Sequence, residues 1–187
     1  MAKSTKVTAQ PEGFRYAPDA LTPDEEATLI GHIRGLPLKE FEFQGYLAKR
    51  RVFSYGWHYN FDNAKLVPAD EIPPFLHTAR ERAAQFAGLT PADLPHALIT
   101  EYSPGATIGW HRDKGVFDDV VGLSLGSPCV FRLRRKAGEG WERYSVTAEP
   151  RSVYLLRGPA RTEWEHSIPE VEALRYSITF RSLRGMR

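Results

Sequence analysis

The sequence predicts an α+β fold, a jelly-roll β-sandwich with two N-terminal helices packed against it, and two observations carry that prediction. Apolar residues recur at helical spacing in two stretches before residue 90, whereas from residue 97 onward they recur in short runs cut by Gly and Pro. The length of 187 residues sets the scale, since it is enough for one domain with its own core. We therefore expect a disordered tail over residues 1–13 and one domain over 14–187, with the helices in 14–96 and the sandwich in 97–187.

The tail is polar and lacks periodic apolar residues. The first helix begins in "LTPDEEATLIGHIRGLP", where Thr22 is placed to cap, Pro23 stands at the first helical position and Glu25 follows the cap by three. The second fits "IPPFLHTARERAAQFAG", whose Ile72, Phe75, Leu76, Ala79, Ala83 and Phe86 make one stripe that Gly88 ends. The strands follow as "ALITEY", "VVGLSL", "CVFRLRR", "YSVTA", "SVYLLR" and "LRYSITFR", close enough together for an antiparallel sandwich or barrel.

Composition narrows the setting. Cys129 is the single cysteine, so no internal disulfide can form, and no apolar run has the length of a signal core or a membrane span. A cytoplasmic protein with no membrane contact and no obligate protein partner is expected. The net charge is +2, but residues 131–187 hold 12 Arg and Lys against 7 Asp and Glu, while residues 1–130 hold 13 against 16. A polyanion would favour the C-terminal half; a solvated basic surface accounts for the same asymmetry.

Chemistry concentrates in "TEYSPGATIGWHRD". On a strand, side chains two apart share a face, so His111 and Asp113 offer an imidazole and a carboxylate together while Trp110 points the other way. A His-x-Asp pair with a distant second His is the pattern of a facial metal triad that leaves further positions open. Of the other histidines, His32 and His77 lie in the helical stretches and His96 follows a proline, whereas His166 of "TEWEHSIP" lies among the strands and is the expected third ligand.

In "LRYSITFR", alternation puts Arg175, Ser177, Thr179 and Arg181 on one face and Tyr176, Ile178 and Phe180 on the other. Six residues of strand separate the two arginine Cα atoms by roughly 20 Å, within which two long guanidinium arms could bracket a short dianion such as a dicarboxylate. In "SYGWHYNF", Tyr55, Trp57, Tyr59 and Phe61 alternate, which suits either an ordinary core face or a wall on which flat bases stack. The basic runs "RLRRK" and "RGPAR" offer Arg132, Arg134, Arg135, Lys136, Arg157 and Arg161 as phosphate contacts or as a solvated edge, with Arg161 the choice for a cavity mouth because it closely precedes His166.

Taken together, Tyr102, Gly105, His111, Asp113, His166, Arg175 and Arg181 resemble the AlkB family of Fe(II)- and 2-oxoglutarate-dependent dioxygenases in order and, where spacing is set, in spacing. The likeness is strong over about residues 97–183 and looser before them. It implies a double-stranded β-helix core, with Fe(II) held by His111, Asp113 and His166, and 2-oxoglutarate and O2 as co-reactants. It further implies that Arg175 takes the distal carboxylate of 2-oxoglutarate, that Arg181 supports the carboxylate near the iron, and that Tyr102 donates to the cosubstrate. The segment around Trp57, Tyr59 and Phe61 would be the lid over the substrate.

Three positions depart from the family pattern. Thr100 and Ser177 stand where asparagines are usual, with shorter hydrogen-bonding reach toward the cosubstrate, and Gly115 stands where repair members often carry a base-contacting acid. The resemblance implies oxidative dealkylation of bases in DNA or RNA, met single-stranded or flipped. The alternative, suggested by Gly115, is hydroxylation or demethylation of a protein or small molecule. A third class, a β-sandwich that only binds a ligand, has no use for three metal ligands and two spaced arginines.

Overall fold

The computed structural model describes residues 6–7, 9–43, 46–60 and 65–185. In chain order its strands are β1 (Lys6–Val7), β2 (Phe14–Ala17), β3 (Lys39–Phe43), β4 (Tyr46–Tyr55), β5 (Trp57–Asn60), β6 (Lys65–Pro68) and β7 (His96–Tyr102). They continue as β8 (Ile108–His111), β9 (Phe117–Leu125), β10 (Cys129–Ala137), β11 (Gly140–Ala148), β12 (Val153–Leu156), β13 (Glu165–Ile168) and β14 (Arg175–Leu183). Helix α1 (Pro23–Arg34) precedes β3, α2 (His77–Ala87) precedes β7, and the short α3 (Gly158–Thr162) precedes β13. None of the described helices is long and apolar enough to cross a membrane.

Two sheets face each other. The larger runs β2-β12-β9-β14-β7-β4-β3, the smaller β1-β11-β10-β13-β8, and among the described residues β5 pairs only with β6. All pairings are antiparallel except that of β1 with β11. Every residue of β14 is buried, because both of its faces are covered. Tyr176, Ile178 and Phe180 join Leu29 and Ile33 of α1 and Ala79, Ala83, Ala84 and Ala87 of α2 in one apolar cluster. Between the sheets lies a second cluster, in which Phe14, Val120, Leu156 and Tyr154 of the larger sheet meet Phe131, Leu133 and Ile168 of the smaller. Burial on this scale, at roughly 25 cal/mol per Å² of apolar surface, is what holds a polar row such as that on β14 inside the sandwich.

Helix α1 begins as its sequence dictates. Thr22 Oγ1 accepts from the Glu25 amide at 3.1 Å, and Glu25 Oε2 accepts from the Thr22 amide at 2.7 Å, a reciprocal box worth about 1 kcal/mol. The second helical stretch differs from expectation in place and start. It lies mid-chain after β3 to β6, so that α1 alone is N-terminal, and α2 begins at His77 rather than near Ile72. Ile72 and Pro73 each precede a proline, which disfavours helical backbone, and Pro74–Leu76 form only a 3-10 turn. Its buried face is also narrower, made of alanines that let it sit close to the sheet, while Phe86 lies half-buried under the Arg15 guanidinium at 4.6 Å.

Part of the segment expected to be a disordered tail is structured. Lys6 and Val7 pair with Glu142 and Arg143 at the edge of β11, and the carbonyls of Glu12 and Gly13 accept from Ala160 and Arg157 at 2.9 Å each. These are backbone contacts, which leave no trace in side-chain periodicity.

The aromatic stretch is not one strand. Gly56, with φ of +75°, turns the chain between β4 and β5; its amide donates to the Asp70 carbonyl at 2.6 Å, and a Cβ there would lie 1.9 Å from the Pro95 carbonyl oxygen. Tyr55 therefore packs into the helix-side core, whereas Trp57 and Tyr59 turn over the mouth of the sandwich. Phe61 lies outside the described residues.

Candidate active site

Register builds the first half of the site. On the inward face of β14, Arg175 pairs with Tyr102 of β7, Ser177 with Thr100 and with Ser124 of β9, and Arg181 with His96. Thr100 and Ser177 are thus both buried on the face that carries Arg175. Arg175 is 1% exposed; its Nε and Nη2 donate to Ser124 Oγ at 3.2 and 3.0 Å, and the guanidinium lies 4.7 Å from the centre of the Tyr102 ring. Its Nη1 has no hydrogen-bond partner. A buried guanidinium donor left unpaired costs about 1–3 kcal/mol or more, a cost that an anion bound at this position would offset.

Tyr154 completes that floor and was not singled out from the sequence. Its ring lies across Gly122, where a Cβ would come within 2.2 Å of it. Burial pushes the Tyr154 phenol well above its ordinary pKa, with Tyr102 and Asp113 adding to the shift, so it stays a neutral hydroxyl. The only signal for it, a glycine facing a tyrosine, depends on the β9–β12 register.

The second half is the triad. Strand β8 ends at His111, opposite His166 of β13, and Asp113 stands in the loop just beyond rather than on the strand. The three still converge: one ligand atom from each lies within 4.8 Å of the others. Asp113 Oδ1 is 3.7 Å from His111 Nε2 and 3.5 Å from His166 Nε2, and the two imidazole centres are 4.2 Å apart. His111 Nδ1 lies 2.9 Å from the Gly109 carbonyl, which can only accept, so Nδ1 carries the proton and Nε2 turns a lone pair to the centre.

Charge states suit a cation. Burial alone would raise the Asp113 pKa, but Arg181, whose Nε donates to Oδ2 at 2.6 Å, together with the two histidines holds this carboxyl well below the usual range. Burial, reinforced by His111, lowers His166 to about 3, so the imidazole is neutral near pH 7. An ionised carboxylate beside a neutral imidazole is what a divalent metal needs. The side chains of His166 and Asp113 are 11% and 5% exposed against 39% for His111, so the site opens past His111.

Arg181 is bonded to the ligand Asp113 and lies 3.5 Å from His96 Nδ1, so it braces the triad from below. Arg161 is not at a solvent-facing mouth. It is buried on α3, and its Nη2 donates to the carbonyls of Lys114 at 2.6 Å and Phe117 at 2.8 Å, clamping the loop that follows Asp113. A helix of five residues that turns this side chain inward had no sequence signal. Arg135 and Arg157 are likewise structural, pairing with Glu142 and Glu163 and with Asp119.

Trp57 and Tyr59 come over the same loop. Trp57, Leu66, Gly115, Val116, Leu183 and Arg184 line a groove of about 420 Å³, and the Lys114 ammonium sits 5.5 Å above the Tyr59 ring.

Comparison with known proteins agrees with this geometry. Residues 13–181 match the model of the 2OG-Fe(II) oxygenase superfamily. The chain is 30% identical over 200 residues to the alkylated DNA repair protein ALKBH8 homolog of Arabidopsis thaliana, an alignment covering 92% of this chain and 56% of that protein. It is 29% identical over 171 residues to the DNA oxidative demethylase ALKBH2 of Mus musculus, covering 75% and 69% respectively. The solved structure of OsALKBH1 superposes with a TM-score of 0.68 over 94% of this chain and all of that one, at 16% identity, which shows the shared fold.

A jelly roll with a His-x-Asp and distant His triad beside a buried arginine defines iron enzymes that consume 2-oxoglutarate. The chain belongs to the 2OG-Fe(II) oxygenase superfamily and, within it, to the AlkB family. It is an Fe(II)/2-oxoglutarate-dependent dioxygenase, with Fe(II), 2-oxoglutarate and O2 as its cofactor and co-reactants.

Proposed function

We propose that this enzyme removes alkyl groups oxidatively from bases in DNA or RNA. The observation that carries the reading is the groove between the β5–β6 hairpin and the loop that follows Asp113, lined by Trp57, Leu66 and Val116 and large enough for one base. The names of the Arabidopsis and mouse relatives support it.

In this reading His111, Asp113 and His166 would hold the iron, with Arg181 donating to Asp113 Oδ2 and so fixing the orientation of that carboxylate. Arg175 offers its unpaired Nη1 to the distal carboxylate of the cosubstrate, with Tyr102, Thr100 and Ser177 lining its walls. Iron, 2-oxoglutarate and O2 together supply hydroxylation of an alkyl C–H, with succinate and CO2 as coproducts, and on an alkylated base nitrogen the carbon then leaves as an aldehyde. Trp57 and Tyr59 stack against a flipped or unpaired base. Arg161 acts indirectly, by holding the loop that carries Gly115 and Val116.

Gly115 favours a second reading. A Cβ there would meet nothing within 4 Å, so the groove presents open space where a carboxylate could face a cationic base, and a neutral substrate on a protein or small molecule suits such a wall. Incubation of the iron-loaded protein with methylated DNA and RNA oligonucleotides, followed by mass spectrometry, separates the two. Dealkylation predicts succinate formed in step with loss of the methyl mass; succinate formed while every oligonucleotide keeps its mass overturns it.

A further inference from the structure

The outer face of the smaller sheet is used by none of this chemistry. Phe131 and Leu133 point inward to the core, so alternation sends Arg132, Arg134 and Lys136 of β10 outward, where the register sets them beside Ser145, Arg143 and Trp141 of β11. Trp110 of β8 joins them, since its neighbour His111 faces the triad. Indole and cation alternate across the face. The Arg132 and Arg134 guanidinium groups lie 5.0 and 4.4 Å from the Trp110 ring, with Arg143 at 5.9 Å. Arg134 also lies 4.2 Å from the Trp141 ring, which has the Lys136 ammonium at 5.3 Å on it.

The charge on this face is one-sided. Among the described residues, Arg132, Arg134 and Lys136 stand with one carboxylate, Glu165, which pairs with Arg134 at 2.6 Å, while Arg132 bonds the uncharged Ser167 hydroxyl at 3.0 Å. Val130, Lys136, Ser145 and Thr147 are exposed, so the face is open to solvent. From β8 to β11 it spans three strand spacings, roughly 14 Å.

We propose that this face is a docking track for single-stranded nucleic acid, the indole and guanidinium planes taking bases and the flanking cations taking phosphates. The inference rests on the nucleic-acid reading above and extends it to a second surface. Charge selects a polyanion, and the planar groups favour one whose flat bases are unpaired; a duplex would use the cations alone. The track begins at Trp110, one residue from His111 and at the edge strand of the sheet, so a bound strand need only pass that edge to reach the open flank of the triad.

The test is fluorescence anisotropy with a fluorescein-labelled, unmodified 20-mer of deoxythymidine, which needs neither iron nor turnover. The triple variant Arg132→Gln, Lys136→Gln, Arg143→Gln keeps the aliphatic stems and the Arg134–Glu165 pair. It is expected to weaken binding about 10-fold or more and to lower the slope of log affinity against log salt by about 2. Trp141→Ala is expected to weaken binding about 5-fold or more with no change in that slope. Thermal melting by circular dichroism checks that each variant is folded. A wild-type protein that does not bind the 20-mer, or a triple variant that binds as wild type, overturns the proposal; so does an unchanged Trp141→Ala affinity, which would leave a patch for any polyanion. Binding that persists although no alkylated base is repaired would instead remove the dealkylation reading and leave the track standing.

Discussion

The inner face of β14 and the β5–β6 hairpin both meet the loop that carries Asp113 to Val116 and are built by different means. On β14, ladder hydrogen bonds to two neighbours set Arg175 against Tyr102 and Arg181 against His96, so each side chain is placed by register and sealed by burial. Among the described residues the hairpin strands pair only with each other, and Trp57 and Tyr59 are half-exposed. The difference teaches how each half is held: strand register fixes the buried polar row on β14, whereas a self-paired hairpin and a loop line the neighbouring groove.

That contrast can be broken most sharply at Asp113. Asp113→Ala removes a ligand and leaves Arg181 as an uncompensated buried charge; bound iron measured by atomic absorption should fall to background, and succinate formation about 1000-fold or more. Arg175→Met should raise the KM for 2-oxoglutarate about 100-fold, since a buried charge-assisted pair is lost. The same change should not lower the melting temperature of the cosubstrate-free protein, because it removes an unsatisfied buried donor, but 2-oxoglutarate should no longer raise that temperature as it does for wild type. A variant that melts lower and still responds to 2-oxoglutarate would show that Arg175 is structural.

Smaller effects are expected on the loop side. Arg161→Met should cost about 1–3 kcal/mol of stability in denaturant unfolding by freeing the carbonyls of Lys114 and Phe117, without altering the salt dependence of oligonucleotide binding. A change in that salt dependence would restore Arg161 as a phosphate contact. Trp57→Ala should reduce kcat/KM for a methylated oligonucleotide about 10-fold while moving the KM for 2-oxoglutarate less than about 2-fold, in keeping with one lost base-stacking contact. Equal loss on both would place Trp57 in the cofactor half of the site.

The sequence by itself determined which residue types meet on each strand of the cofactor half. Period-two alternation assigns Arg175, Ser177, Thr179 and Arg181 to one face of β14, where a strand offers no other choice of side, and a match in order and spacing points to Tyr102, His111, Asp113 and His166, of which Asp113 lies in the loop beyond β8. Tertiary structure decided what depends on contacts remote in sequence. Gly56 splits the aromatic run because the Pro95 carbonyl fills the space a side chain would need, and α3 turns Arg161 inward because the Lys114 and Phe117 carbonyls lie there. Tyr154 becomes part of the site only because register sets it over Gly122. Local pattern reports the face of an element, while the partner of that face is chosen by packing of the whole chain.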